Sequence, residues 1–219
     1  MKSKLVLAVA LAAILVGCDG GCGEIPGNGV IVEQSRDTAP FTGVVSSLGI
    51  QAEVLVGPEQ SVKLRGDENL LDLISLSVGT DGVLTAWWAA SAPPVETQPF
   101  VLTLTTPTLR TAGAEGRSRL VARGIQADEF SVSASDRSEV VLEGTAQGLT
   151  LEAWGGGRVL ARELPVGAAV VTMREGGLAT LHVTQQLTGS VVDGSSLTVH
   201  GQPPQVNLID SEDSEVLFE

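Results

Sequence analysis

Tyrosine is absent from the 219 residues, and aromatic side chains of any kind make up only 3% of them. Valine, leucine, threonine and 26 glycines carry the composition instead, the signature of a chain of strands and turns. Histidine is almost as rare. His182 and His200 are the only two, so imidazole bases are confined to these positions and a zinc site lacks ligands. His182 falls in the alternating stretch Leu181-His182-Val183, where an outward polar side chain is the ordinary strand pattern. No Gly-x-Ser-x-Gly elbow occurs, which removes one common frame for a serine nucleophile. Basic residues are scarce too: 13 against 26 acidic ones, a formal charge of −13 that repels nucleic acid and anionic headgroups. Neither a cofactor nor a metal is implied. Helix signals are nearly missing beyond the first 17 residues, the exception being Glu68 to Ile74, where Leu70, Leu71 and Ile74 suit a single helical turn or a loop.

The N-terminus carries the most specific signal. Lys2 and Lys4 precede an unbroken apolar run from Leu5 to Val16. That run is shorter than the roughly 20 residues needed to span a bilayer and has the size of a secretory signal helix. Leu15-Val16-Gly17-Cys18 then resembles the bacterial lipobox, in which small residues precede the cut and the following thiol accepts a diacylglycerol. The expected organisation is a lipoprotein signal peptide at 1–17, a lipidated Cys18 opening a flexible tether at 18–26, and one domain at 27–219. Triacylation would hold the chain firmly at a membrane, facing the periplasm or the outer surface. Cleavage removes two basic residues and no acidic ones, taking the formal charge to −15. With Cys18 acylated, Cys22 is the only remaining thiol and no intramolecular disulfide can form.

From Leu109 onward the chain repeats itself. Phe130–Gly144, Leu149–Ala161, Ala169–Val183, Ser190–Gly201 and Val206–Phe218 each read as a short alternating strand, a turn rich in Gly, Ser or Asp, and a second strand. Their starts at 130, 149, 169, 190 and 206 lie 19, 20, 21 and 16 residues apart. A unit of this length cannot bury its own apolar face, whereas stacked units share one core. The pattern therefore predicts an all-β, right-handed parallel β-helix, a solenoid of roughly 20-residue coils, in preference to a β-sandwich of hairpins. About eight or nine coils at 4.8 Å spacing would make a rod about 40 Å long.

These features resemble the family described as putative auto-transporter adhesin, head GIN domain (DUF2807), over most of the mature chain. Gly27-Asn28-Gly29-Val30-Ile31-Val32-Glu33, with Arg36 and Phe41, looks like its opening block. Val62-Lys63-Leu64-Arg65-Gly66-Asp67-Glu68-Asn69-Leu70-Leu71 looks like its second block, and Asp81-Gly82-Val83-Leu84 like the turn that follows. Val199-His200-Gly201-Gln202-Pro203-Pro204-Gln205-Val206 is similar to its closing coil, with His200 where tyrosine is usual. The turns also differ, reading Asp136-Arg137, Gly155-Gly156-Gly157 or Gly176-Gly177 in place of Ser-Gly-Ser-Gly. The resemblance implies a right-handed β-helix on a cell envelope with no established activity.

Three features are candidates for chemistry. Stacked coils would align Asp136, Glu175 and Asp193, a ladder able to bind calcium or to supply an acid and a base to a polysaccharide-cleaving site. Aspartate is equally at home in turns for its own backbone hydrogen bonds, and the acidic stretch Asp210–Glu215 reads as one more solvated turn. Arg65-Gly66-Asp67 is better explained by a strand-to-turn transition than by integrin recognition. Trp87 and Trp88 are adjacent on a strand and must point to opposite faces, so one exposed indole could stack on a sugar or mark an oligomer interface. Trp154, beside three glycines, is a second such candidate. The reading favours a non-catalytic envelope module for adhesion, scaffolding or binding a protein or polysaccharide. The alternatives are a small polysaccharide-active enzyme using aligned carboxylates and an accessory to envelope stress. Exposed end coils also leave oligomerisation open.

Overall fold

The computed structural model describes residues 24–47, 49–90 and 94–219, so the expected signal peptide at 1–17 and Cys18 lie outside the described residues. The chain opens with β1 (Ile25–Pro26) and β2 (Ile31–Ser35), followed by β3 (Gly43–Ser46) and β4 (Gln51–Val56). Next come β5 (Ser61–Asp67), the one-turn helix α1 (Glu68–Leu71), β6 (Ile74–Val78), β7 (Val83–Trp88), β8 (Pro94–Val95) and β9 (Val101–Thr106). The C-terminal half is β10 (Thr111–Ala114), β11 (Arg119–Ala134), β12 (Glu139–Ala153), β13 (Arg158–Met173), β14 (Leu178–Val191), β15 (Ser196–His200), β16 (Gln205–Asp210) and β17 (Glu215–Phe218).

The C-terminal half is a β-solenoid, about five turns in all. Each long strand pairs in parallel with the next, so that Leu120, Val140, Val159, Ala179, Leu197 and Val216 form one ladder. Phe130, Leu149, Ala169, Leu187 and Val206 form a second ladder on the other side of the core. Alternation places these residues inside while their sequence neighbours face solvent, as the period of two demands. Strands of 14 to 16 residues survive because they bend around a corner without a loop. Pairing shifts at that corner, between Ala122 and Ile125 on β11. Gly144 sits there with φ 144°, and a Cβ on it would lie 2.2 Å from the Ile125 carbonyl oxygen. Only glycine allows the two backbones to approach so closely.

Register also corrects the repeat boundaries. The partners of Phe130 are Leu149, Ala169, Leu187 and Val206, so the fourth unit begins at Leu187, not Ser190. The expected eight or nine coils are likewise too many. The N-terminal third contributes a single coil, β3–β4, and its other strands do not coil through the stack. β5 runs antiparallel to β2 and β9, and β6 antiparallel to β7. The β3–β4 coil is inserted between strands remote in sequence: β3 lies between β7 and β10, and β4 between β9 and β11. The chain thus forms one coil, turns back to build the layers beneath it, and resumes above it.

Antiparallel strands and α1 close this end. Leu64, Leu70, Leu71 and Leu84 have no exposed surface. Ile25 and Pro26, within the segment read as tether, pair in parallel with Pro94 and Val95.

Candidate functional site

The two-residue turns of the solenoid are stacked as regularly as its strands. Gly116-Arg117, Asp136-Arg137, Gly155-Gly156, Glu175-Gly176 and Asp193-Gly194 all hold both residues at positive φ, the backbone of a type I′ turn. The second residue of each turn donates its N–H to the first of the next: Arg117 to Asp136, Arg137 to Gly155, Gly156 to Glu175 and Gly176 to Asp193, at 2.9–3.1 Å. Asp136, Glu175 and Asp193 therefore do occupy equivalent positions. Gly155 interrupts the ladder, however, and Glu175 is engaged by Arg174 at 2.7 Å. Among the described residues, no group of three His, Cys, Asp or Glu side chains could hold a metal ion. At the last turn, Ser211 donates its hydroxyl to Asp213, and this hydrogen bond holds the Asp213 carboxyl below its ordinary pKa.

His182 and His200 are half-buried and directly stacked in adjacent coils, with His200 Nδ1 3.5 Å from Glu219. Trp87 and Trp88 point to opposite faces as expected. Trp88 packs on the core with its ring 6.3 Å from that of Phe100, and Trp87 sits half-buried on the outer face beside Ser75. Trp154 is half-buried, and the Arg174 guanidinium lies 5.2 Å over its ring. The three indoles are thus not brought together.

Asp67 belongs to the interior. Its carboxylate has no exposed surface and accepts hydrogen bonds from Gly29 N–H at 2.8 Å and from Thr97 N–H and Oγ1 at 2.8 and 2.7 Å. Burial pushes its pKa up, but the hydrogen bonds from Thr97 and Gly29 more than offset this and leave it below the ordinary value of 3.8. Arg65-Gly66-Asp67 is therefore a structural knot, with Asn69 beside it accepting from Asn28 N–H and donating to the Pro26 carbonyl. The exposed end coils, which the sequence suggested without naming residues, are seen at the far end of the solenoid. The interior ladders of β16 and β17 reach solvent there, with Val206 47% and Phe218 48% exposed.

Residues 40–203, from β3 through β15 and so without the last coil of β16 and β17, match the model of the family described as putative auto-transporter adhesin, head GIN domain (DUF2807). The chain belongs to this family. No curated protein matches the chain. Solved structures share the head GIN fold at low identity. A putative adhesin from Bacteroides fragilis is 17% identical with a TM-score of 0.73, the match covering 89% of this chain and 100% of that one. A putative adhesin from Parabacteroides merdae is 16% identical with a TM-score of 0.63, covering 90% and 99%. A protein from Parabacteroides distasonis described as a putative lipid binding protein is 14% identical with a TM-score of 0.54, covering 89% and 100%. The head GIN domain is thus an adhesin-like β-solenoid. Among its described residues no helix is long and apolar enough to cross a membrane, which says nothing of β-barrels.

Proposed function

We propose that this head GIN domain is the exposed part of a cell-envelope lipoprotein, anchored through Cys18, and that it binds a protein or polysaccharide ligand without catalysing a reaction on it. The observation that carries the non-catalytic reading is the brevity of its turns. Five successive coil connections are two-residue I′ turns held to one another by backbone hydrogen bonds. Connections this short raise no walls around a substrate, whereas catalysis needs groups converging on a reacting atom. The flat sides, with Trp87 at the closed end and Trp154 under Arg174, suit contact over an extended surface. The adhesin and lipid-binding descriptions of the solved relatives agree with a binding role, and an accessory role in envelope stress would use the same surfaces. The test is incubation with neutral and acidic polysaccharides, followed by reducing-end release and chain length. The account predicts unchanged chain lengths. Release of new reducing ends, lost on replacing Asp136 or Glu175, would replace it with the carboxylate enzyme.

A further inference from the structure

The two ends of the solenoid are finished differently. The N-terminal end is covered by β2, β5, β6 and α1, and Leu64, Leu70 and Leu71 there are fully buried. At the other end the outermost coil is that of β16 and β17, and among the described residues no strand pairs with the outer edge of either. The interior ladders run straight out into solvent. Phe130, Leu149, Ala169 and Leu187 are at most 2% exposed, while Val206, next in register, is 47% exposed. Val199 is fully buried, while Phe218 above it is 48% exposed. With Ile209 at 70% and Leu217 at 46%, this single coil holds four of the eight exposed large hydrophobic residues among those described.

Its backbone is equally unfinished. Glu215 and Glu219 donate their N–H groups to Ser195 and Val199 of the coil below. Alternation along β17 then turns the N–H and C=O groups of Val216 and Phe218 toward the open edge. An edge of this kind is a template for another strand.

Charge decides which strand. Residues 205–219 contain five carboxylates and no lysine or arginine. Glu215 and Glu219 flank Leu217 on the outer face of β17, and Asp210 tops a ladder that otherwise reads Ala134, Ala153, Met173, Val191. A second copy meeting this face end to end would set five carboxylates against five. An extended segment with apolar residues at alternate positions would cover Val216 and Phe218, and Lys or Arg between them would lie beside Glu215 and Glu219. We propose that the open edge of β17 is a docking site for an extended partner segment in which apolar and basic residues alternate, added as the next strand of the stack. This deepens the binding role assigned above but does not need the lipid anchor, since the edge belongs to the solenoid whether or not Cys18 is acylated.

The probe is a fluorescein-labelled heptapeptide alternating Lys and Val, titrated against the full chain by anisotropy. Hydrogen exchange of residues 205–219 is followed in parallel. The proposal expects saturable binding at low salt that weakens at least about tenfold at 0.5 M salt. It also expects slowed exchange at Val216 and Phe218, and at least about tenfold weaker binding when Glu replaces Lys or when alternate peptide amides are N-methylated. Val216→Pro, which removes an outward N–H and leaves the inward ladder, should abolish binding. The N-methylated peptide asks the same question should that variant fold poorly. Equal binding of the N-methylated peptide, protection away from β17, or no saturable binding would overturn the proposal. So would a sedimenting dimer that protects the edge without peptide, which would make a second copy the occupant. A domain that cleaves polysaccharide yet binds the peptide would sink the non-catalytic reading and leave this one standing.

Discussion

Asp67 gives up all contact with water yet keeps its charge, because Gly29 and Thr97 supply three donors within 2.8 Å. Truncation would leave those donors without an acceptor in the interior. Asp67→Ala should therefore cost about 3 kcal/mol in urea unfolding, and Asp67→Asn somewhat less. The pH dependence has a definite sign. The folded carboxyl lies below the ordinary 3.8, so the native state binds fewer protons than the unfolded chain. Its contribution is complete above pH about 4 and is lost as pH falls through the folded value. The destabilisation caused by Asp67→Asn should accordingly shrink from pH 7 to pH 3. A constant difference across that range would contradict an ionised Asp67. The sequence hinted at this residue only through its place beside Arg65 and Gly66. Its partners at 29 and 97 are too distant in the chain for local spacing to disclose.

At the scale of the element, strands and turns were read from different signals with different success. Alternation in the five repeat windows marks real strands, because a half-buried strand leaves a period of two. The window Glu68–Ile74, read as a helical turn or a loop, holds a helical turn at Glu68–Leu71, while Ile74 already begins β6. The fourth repeat was misplaced by three residues since β14 continues through Leu187, Thr188 and Gly189 without a turn, and a glycine inside a strand resembles punctuation. The I′ turns are more instructive. Gly occupies the second position at 156, 176 and 194, while Arg117 and Arg137 hold the same left-handed backbone at φ 64° and 62°. A β-carbon there is strained, and Arg137 is exposed. Arg137→Gly converts Asp136-Arg137 into Asp-Gly, the pair this turn favours. The variant should be more stable by about 0.5–1 kcal/mol, raising Tm by about 1–4 °C. A loss of stability would mean that the Arg137 side chain contributes contacts outweighing its backbone strain.

For the molecule as a whole, periodicity disclosed the solenoid but not how its first layers are assembled. The β3–β4 coil sits between strands contributed by residues 83–106 and 111–123, a pairing that follows from long-range contacts and leaves no mark on local spacing. Counting coils from the repeat period and the chain length therefore overestimated them. The same non-local assembly closes one end with antiparallel strands and leaves the other with bare ladders, an asymmetry legible only once register is known. The envelope placement rests instead on Leu15-Val16-Gly17-Cys18, a signal independent of the fold. Without a membrane anchor, the acidic solenoid would be a freely secreted binder with a different range of ligands. The most direct measurement is the intact mass and membrane fractionation of the wild type beside Cys18→Ser, both expressed in a Gram-negative host. The account predicts a triacylated Cys18 N-terminus in the membrane fraction, with both the added mass and the membrane association lost on substitution. An unacylated soluble protein in both cases would contradict it.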